Sequence, residues 1–412
     1  MNILYISQSC DPYNGSEDQI GWGIPWEAAK HHRVSVITRT DLRDSIESYL
    51  NNSEKRSIKV YYVDIPEIYK TVFKGFFYSG RLLKWNRNVV SLVERLCKEE
   101  HFDIIHQLTP IEFRSIGDYG RIPGIKYVCG PLGAGQNIDK PMMQYVHGKN
   151  RFIEYSRTCI NHFYRLKIKL DGRLNRCDYL LFTNKETYEY LGGDKLGKRA
   201  ELYYDNGIDR DAILSDDQMN DDLEHNGVHF LVAGRLLYIK GHDFLLDVLE
   251  TLPEDARYRC RIVGGGPLLE ELRRRCESPR LRDKVQVIGA VQYTRMMEEY
   301  KWADVLIFPS LRESSGTVIL EAMTQAIPII TVNRFGGAVI LDENCAWFFD
   351  GKDLDAYKRN LRNAILECIN HPEKIKEKGK CAKETVATQT WEEKVKHYTE
   401  IYEGLIGNST EE

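Results

Sequence analysis

Short apolar runs recur along this chain, each followed by a stretch in which apolar residues return at helical spacing. The clearest case is residues 305–332. There Val305 to Pro309 and Ile327 to Val332 read as strands, while Val318, Ile319, Ala322 and Met323 mark one face of a helix between them. Upstream, Phe230 to Ala233, Cys260 to Val263 and Val285 to Ile288 are further strand-like runs. Phe244, Leu245, Val248 and Leu249 stripe a helix that begins near Gly241. In the first half the runs are Ile3 to Ser7, Val34 to Thr38, Ile58 to Val63, Phe102 to Leu108, Tyr127 to Gly135 and Tyr179 to Asn184, the last read as the final strand of its domain. Regular β-α alternation predicts an α/β fold with parallel sheets covered by helices on both faces. A closing helix is predicted over Trp391 to Leu405, with Val395, Tyr398, Tyr402 and Leu405 on one side.

The turns after these strands carry the polar chemistry. Ser314, Ser315 and Gly316 fill the turn into the 305–332 helix, and Ser315 reads as its N-cap. The N–H groups of Gly316, Thr317 and Val318 then face whatever lies above the sheet, and a diphosphate suits the partial positive charge there. Glu313 precedes this helix and Glu321 lies inside it, with seven residues between them. On one continuous helix that is roughly 12 Å, too far for an acid/base pair, so the two read as contacts to opposite ends of one long ligand. Arg235 and Lys240 follow Phe230 to Ala233 and offer a planar donor fork and a point charge, a fit for two linked phosphates. The triple glycine Gly264 to Gly266 permits a tight strand-to-helix connection.

In order and spacing, G-R-L-x-x-x-K-G-x-D, V-G-G-G-P and F-P-S-x-x-E-S-x-G-x-x-x-x-E-A-M, all within residues 229–350, resemble glycosyltransferase family 4. That resemblance implies the GT-B fold, two Rossmann-like doubly wound domains facing across a cleft. It also implies retaining transfer from a nucleotide-sugar donor. By resemblance, Arg235 and Lys240 hold the donor diphosphate, Glu313 positions the sugar and Glu321 binds ribose hydroxyls. The base lies against Gly289 to Tyr293, and His106 faces the donor sugar from the first domain. Gly15 approaches the donor phosphate, although the family's usual double glycine is Gly15-Ser16 here. Glu17, Trp22 and Gly133 are the acceptor-side candidates, with packing of the first helix as the alternative for the tryptophans. Ala326 stands where the family usually has glycine and reads as packing only. Arg235, Lys240 and the helix N-terminus would neutralise the departing diphosphate, which accepts the acceptor proton. A UDP-sugar is favoured over a GDP-sugar as donor, and no cofactor is expected. With no Asp-x-Asp near a candidate donor site, no bound metal is expected either. The division implied is 1–204 for an acceptor-side domain, 205–385 for a donor domain, and 386–412 for a helix crossing back to the first.

Composition narrows the partners. The chain has 412 residues, enough for two domains of ordinary size, and a net charge of −4, which argues against bulk nucleic-acid binding. Charge is uneven: residues 1–200 carry 30 basic and 23 acidic side chains, the remainder 27 and 38. Between Glu67 and Glu94 there are five basic residues and no acidic one, interleaved with Tyr69, Phe73, Phe76, Phe77, Tyr78 and Trp85. Residues 140–170 repeat the theme, with Phe152, Tyr155, Phe163 and Tyr164 among Lys149, Arg151, Arg157, Arg165, Lys167 and Lys169. Such stretches suit an anionic membrane surface, a sugar-binding cleft, or a core with snorkelling cations, and of these membrane contact is expected. No apolar run reaches the ~20 residues a spanning helix needs. The start, MNILYISQS, reads as a strand and not a signal peptide. Ten cysteines without C-x-x-C or metal-ligand spacing suggest reduced, mostly buried thiols. The expectation is therefore a cytoplasmic glycosyltransferase held at the inner face of the membrane, with a glycan or glycolipid acceptor. A GT-B epimerase or phosphorylase, and a non-catalytic nucleotide-sugar-binding module, are the alternatives.

Overall fold

A computed structural model describes residues 1–64, 78–215 and 227–407. The chain divides into two compact units, one formed by Met1–Gly135, Tyr155–Gly207 and Trp391–Glu412, the other by Gln136–Glu154 and Ile208–Thr390. The segment 136–154, placed in the first domain by the 204/205 division, thus groups with the second unit.

The first unit contains β1 (Asn2–Ser7), α1 (Glu17–Ala28), β2 (Arg33–Arg39), α2 (Arg43–Asn52), β3 (Ile58–Val63) and α3 (Tyr78–Glu99). It continues with β4 (Ile104–Thr109), β5 (Lys126–Leu132), α4 (Gly148–Asp171), β6 (Tyr179–Phe182), α5 (Lys185–Leu191) and β7 (Ala200–Leu202). The division of the chain falls inside α4, between Glu154 and Tyr155. Its seven strands, all parallel, run β3-β2-β1-β4-β5-β6-β7. Strand β7 lies beyond Tyr179–Phe182, so that strand is not the last of its domain. Central β1 and β4 are buried on both faces, which is why Leu4, Ile6 and Ile105 serve one core cluster and Ile3, Tyr5 and Ile104 the other.

The second unit runs β8 (Val228–Ala233), α6 (His242–Leu249), β9 (Tyr258–Val263), α7 (Leu269–Arg275), β10 (Val285–Gly289), α8 (Tyr293–Trp302), β11 (Val305–Phe308) and α9 (Thr317–Thr324). Then come β12 (Ile329–Thr331), α10 (Gly337–Ile340), β13 (Ala346–Phe348), α11 (Leu354–Asn370) and α12 (Pro372–Val386). Its parallel sheet has the order β10-β9-β8-β11-β12-β13. Both units are doubly wound Rossmann-like layers, as the alternating pattern predicts. The closing helix α13 (Trp391–Gly407) belongs to the first unit, where Trp391, Val395, Tyr398 and Tyr402 join the core with Trp22 and Ile24 of α1.

Candidate donor site of the second unit

In a doubly wound sheet, ligands bind beyond the carboxyl ends of the strands, where the strand order reverses. Here β8 leads to β9 and β10 on one side, and the chain then returns to place β11 on the other. The loops after β8 and β11 therefore flank the switch point. They are bound to each other by the backbone: Ile239 O accepts N–H bonds from Leu311 (2.8 Å) and Arg312 (3.3 Å). Gly241, at φ 71°, lies so close to the second loop that a Cβ would stand 2.0 Å from Pro309 O. Only glycine allows this approach. Its consequence is chemical, because it brings the Lys240 ammonium onto the Glu313 carboxylate as an ion pair. Glu313 Oε1 also accepts the Ser314 N–H at 3.1 Å. Arg235, five residues earlier in the same loop, is exposed.

The triple glycine works by close approach too. A Cβ on Gly264 would sit 1.8 Å from Gly234 O, and one on Gly266 2.5 Å from Leu236 O. Leu236 N–H donates to Gly265 O, and Gly264 N–H to Gly289 O, both at 2.9 Å. The loops after β8, β9 and β10 are thus laced side by side, placing Arg235 and Gly289 along one rim.

Helix α9 departs from the sequence reading in its cap. The N-cap is Gly316, at φ 93°, and not Ser315, which is buried. A Cβ at Gly316 would meet the Phe308 ring at 2.9 Å, so the glycine has both a conformational and a steric reason. Thr317 and Val318 form the first turn, both partly exposed. Further along, Glu321 accepts a 2.6 Å hydrogen bond from the buried Tyr300 hydroxyl, and burial raises its carboxyl above the usual range. Tyr293, 66% exposed at the start of α8, lies close enough for the Glu321 charge to act on its hydroxyl. Ala326 does more than pack: it holds φ 56° where α9 turns into β12, the conformation that makes glycine usual there.

Several neighbours of these loops have no motif to announce them. Gln136, three residues after the acceptor-side candidate Gly133, donates to the Ser314 hydroxyl at 3.0 Å. Gly336 N–H donates to Ser314 O at 2.7 Å, and a Cβ at Gly336 would strike Ser315 Cα at 2.4 Å. His242, directly after Lys240 and Gly241, is buried, and that burial holds its imidazole down to about 4 and so neutral. A cavity of about 610 Å³ lined by Gly227, Val228, Arg257 and Pro372 opens at the amino ends of β8 and β9, the wrong end of the sheet for a ligand of this fold.

The candidates in the first unit fare differently. His106 is corrected: it lies within β4, fully buried, its ring held between the Tyr402 hydroxyl (2.5 Å) and Gly130 O (2.8 Å). Burial pushes its pKa down to about 3, so it is a neutral core imidazole with no face for a sugar. Trp22 is also core, 4% exposed and stacked on Trp26 at 5.7 Å, with Arg56 over the Trp26 ring at 4.2 Å. Gly133 is buried, with Ile111 and Thr183 methyls 3.3 Å from where its Cβ would stand, so it presents nothing to an acceptor. Glu17 is half-buried at the start of α1, accepts the Ile111 N–H at 2.5 Å, and is pushed up to about 7 by burial and by neighbouring carboxylates, chiefly Glu112. Gly15 is exposed with open space around it. The strained position is its neighbour Ser16, at φ 61° and ψ −127°, a backbone conformation that glycine adopts freely and serine does not.

Residues 216–381 match the family model Glycosyl transferases group 1. Over 376 residues the chain is 28% identical to the phosphatidylinositol N-acetylglucosaminyltransferase gpi3 subunit of Schizosaccharomyces pombe, covering 89% of this chain and 70% of that one. Among solved structures, sucrose-phosphate synthase of Thermosynechococcus elongatus aligns over 99% of both chains at 18% identity, with a TM-score of 0.64. Anabaena HepE in complex with UDP aligns over 97% of this chain and 100% of that one at 16% identity, with a TM-score of 0.62. The structural likeness is one of fold, two Rossmann-like sheets of GT-B type.

Proposed function

We propose that this chain, a glycosyltransferase carrying a group 1 domain, moves one sugar from a nucleotide diphosphate to a glycan acceptor with retention at the anomeric carbon and without a metal ion. The observation that carries this reading is the meeting of Lys240 and Glu313 at the switch point, beside the N-terminus of α9. An arriving diphosphate would draw Lys240 and Arg235 to its oxygens and release Glu313 to the hydroxyls of the sugar. Glu321, whose carboxylate accepts from the Tyr300 hydroxyl, would accept from ribose hydroxyls in this reading. In the transfer step the acceptor oxygen bonds to the anomeric carbon as the bond to the phosphate oxygen breaks, and the acceptor proton passes to that phosphate. Lys240, Arg235 and the helix N-terminus then bear the charge that develops on the leaving group. A UDP-sugar is the donor we favour, in keeping with the UDP complex of a protein of the same fold.

The acceptor we favour is lipid-linked, at a membrane surface. Phe152, Tyr155, Cys159, Phe163, Leu166 and Leu170 are all exposed on α4 and recur at steps of three and four, a continuous apolar stripe turned to solvent. Lys149, Arg151, Arg165 and Lys169 are exposed beside it. An apolar face flanked by cations is the pattern of a helix lying in an anionic interface. Of the other basic-aromatic stretch, residues 65–77 lie outside the described residues, and Trp85 is core. The S. pombe relative's name, with its phosphatidylinositol acceptor, is in keeping with this choice. The experiment is to incubate the chain with a panel of UDP- and GDP-sugars, with and without lipid-linked glycans, and follow release of the nucleoside diphosphate. Acceptor-dependent release from a UDP-sugar is expected. Conversion of the sugar nucleotide without acceptor would instead identify an epimerase, and donor binding without release would identify a non-catalytic module.

A further inference from the structure

Ten cysteines without recognisable spacing do not suggest a metal site, yet the fold of the second unit brings together a cluster of ligand-type side chains. The loop before β13 brings Cys345 to Cys381 of α12, and Asp342 closes the group. A carboxylate oxygen and two sulfurs lie within 4.8 Å of one another, in reach of one common ion after a small contraction. The loop is shaped as a holder: Asp342 N–H points at Cys345 Sγ (3.5 Å), while Asn344 fixes the Asp342 carboxylate through its N–H (2.8 Å) and its amide (3.0 Å). Burial grades from exposed Asp342 through intermediate Cys381 to buried Cys345, so the group has an inside and a mouth. Cys381 also lines a cavity of about 390 Å³, together with Glu343, Glu367 and Glu377 and with Lys374 and Lys378, which leaves room for a water as the fourth ligand.

We propose that Asp342, Cys345 and Cys381 bind a thiophilic divalent cation of the zinc(II) class, through two thiolates, one carboxylate and a water. Hard cations are a poor match, because two of the three donors are sulfur. Binding displaces one proton from each thiol and changes no oxidation state. The ion would tie the loop that delivers β13 to α12. Gly379 of the same helix lies against the turn that ends α9, where a Cβ would stand 2.2 Å from Ala326 O. The staple would therefore brace, from behind, the helix that carries Glu321. It requires nothing of the proposed function.

The test uses the full-length chain, reduced and stripped of metal, titrated with zinc and examined by native mass spectrometry and thiol alkylation. The expected result is about one zinc per chain, a mass gain of one zinc less two protons, and alkylation of Cys381 slowed about tenfold or more. Cys381→Ser, at a partly exposed position, should fold normally and lose tight uptake; Asp342→Asn should weaken it. A reduced chain that takes up no zinc overturns the proposal, as does a Cys381→Ser chain that binds zinc as tightly as the original. Formation of a Cys345–Cys381 disulfide in air at the same rate with and without excess zinc also overturns it.

Discussion

At Lys240 the two loops satisfy their own charges: an ammonium and a carboxylate, each mostly buried, neutralise one another, and under the proposed function a donor diphosphate would compete for the cation. Lys240→Ala should cost about 2–4 kcal/mol in kcat/KM, the scale of a lost preorganised charge donor, measured as initial rates over a donor concentration series. A folded variant with unchanged rates would remove Lys240 from the mechanism. Two other residues carry backbone strain in place of chemistry. Ser16 (φ 61°) and Ala326 (φ 56°) stand where the resembling family has glycine. Ser16→Gly and Ala326→Gly should each stabilise by about 0.5–1 kcal/mol, net of the extra freedom glycine gives the unfolded chain, readable as a shift in the urea midpoint. Glu17 has the opposite character, with a side chain that resists ionising. Its pKa is raised from the ordinary carboxylate value to about 7, so the folded state keeps a proton that the unfolded chain releases near pH 4.5. Its contribution to stability is fully present below that unfolded value and is lost as pH rises through about 7. Glu17→Gln should flatten the stability profile across this window, and a wild-type slope retained by the variant would assign the effect to another group.

At the scale of elements, legibility in the sequence depends on length and burial. The β8–β12 strands and α9 show in the apolar pattern because each buries a full set of side chains, and the site loops show in their glycines and charges. Strands β7 and β13 leave no such mark because each pairs over only three residues at a sheet edge, too short for a period. Ser315 misleads as a cap because a serine before a helix is the common solution, whereas here the Phe308 ring leaves room only for glycine. His106 misleads for a related reason: one strand cannot reveal that a helix 296 residues away in sequence covers it with Tyr402. The opposite difficulty attends α4, where mixing cations with aromatics leaves membrane, cleft and core open in the sequence, and exposure of the stripe removes only the core. Exposure of Phe163, Leu166 and Leu170 turns that ambiguity into a prediction. Phe163→Asp with Leu166→Asp should reduce co-sedimentation with anionic vesicles at both low and high salt, because apolar insertion is not screened. Arg165→Glu with Lys169→Glu should reduce it mainly at low salt, at about 1 kcal/mol per charge. Failure of the wild type to pellet with anionic vesicles at low salt would return the stripe to another role.

At the scale of the whole molecule, the order of the chain and the order of the units differ. The family match begins at residue 216, yet the second unit's core also takes in Ile138, Met142 and Val146 from a segment well before it in the chain. The same segment supplies Tyr145, whose hydroxyl donates to Asp247, and Asp139, which accepts from the Tyr357 hydroxyl and pairs with Arg334. It also supplies Gln136, hydrogen-bonded to the loop of Glu313. A fragment cut at the apparent domain boundary, residues 205–390, therefore lacks part of its own core. Each missing apolar side chain removes about 1.5–3 kcal/mol of burial, and several together approach the whole stability of a domain. The fragment should unfold at low denaturant and bind UDP weakly. In the full chain, Met142→Ala should cost about 2–5 kcal/mol of second-unit stability, as large-to-small core changes do. Fusing residues 136–154 to the fragment through a flexible linker should recover both folding and UDP affinity. Circular dichroism in urea and calorimetric titration with UDP decide the matter: cooperative unfolding and full UDP affinity in the bare 205–390 fragment would mean that the early segment is an ornament on a self-sufficient domain, whereas their loss and recovery would make it a structural part of the proposed donor site.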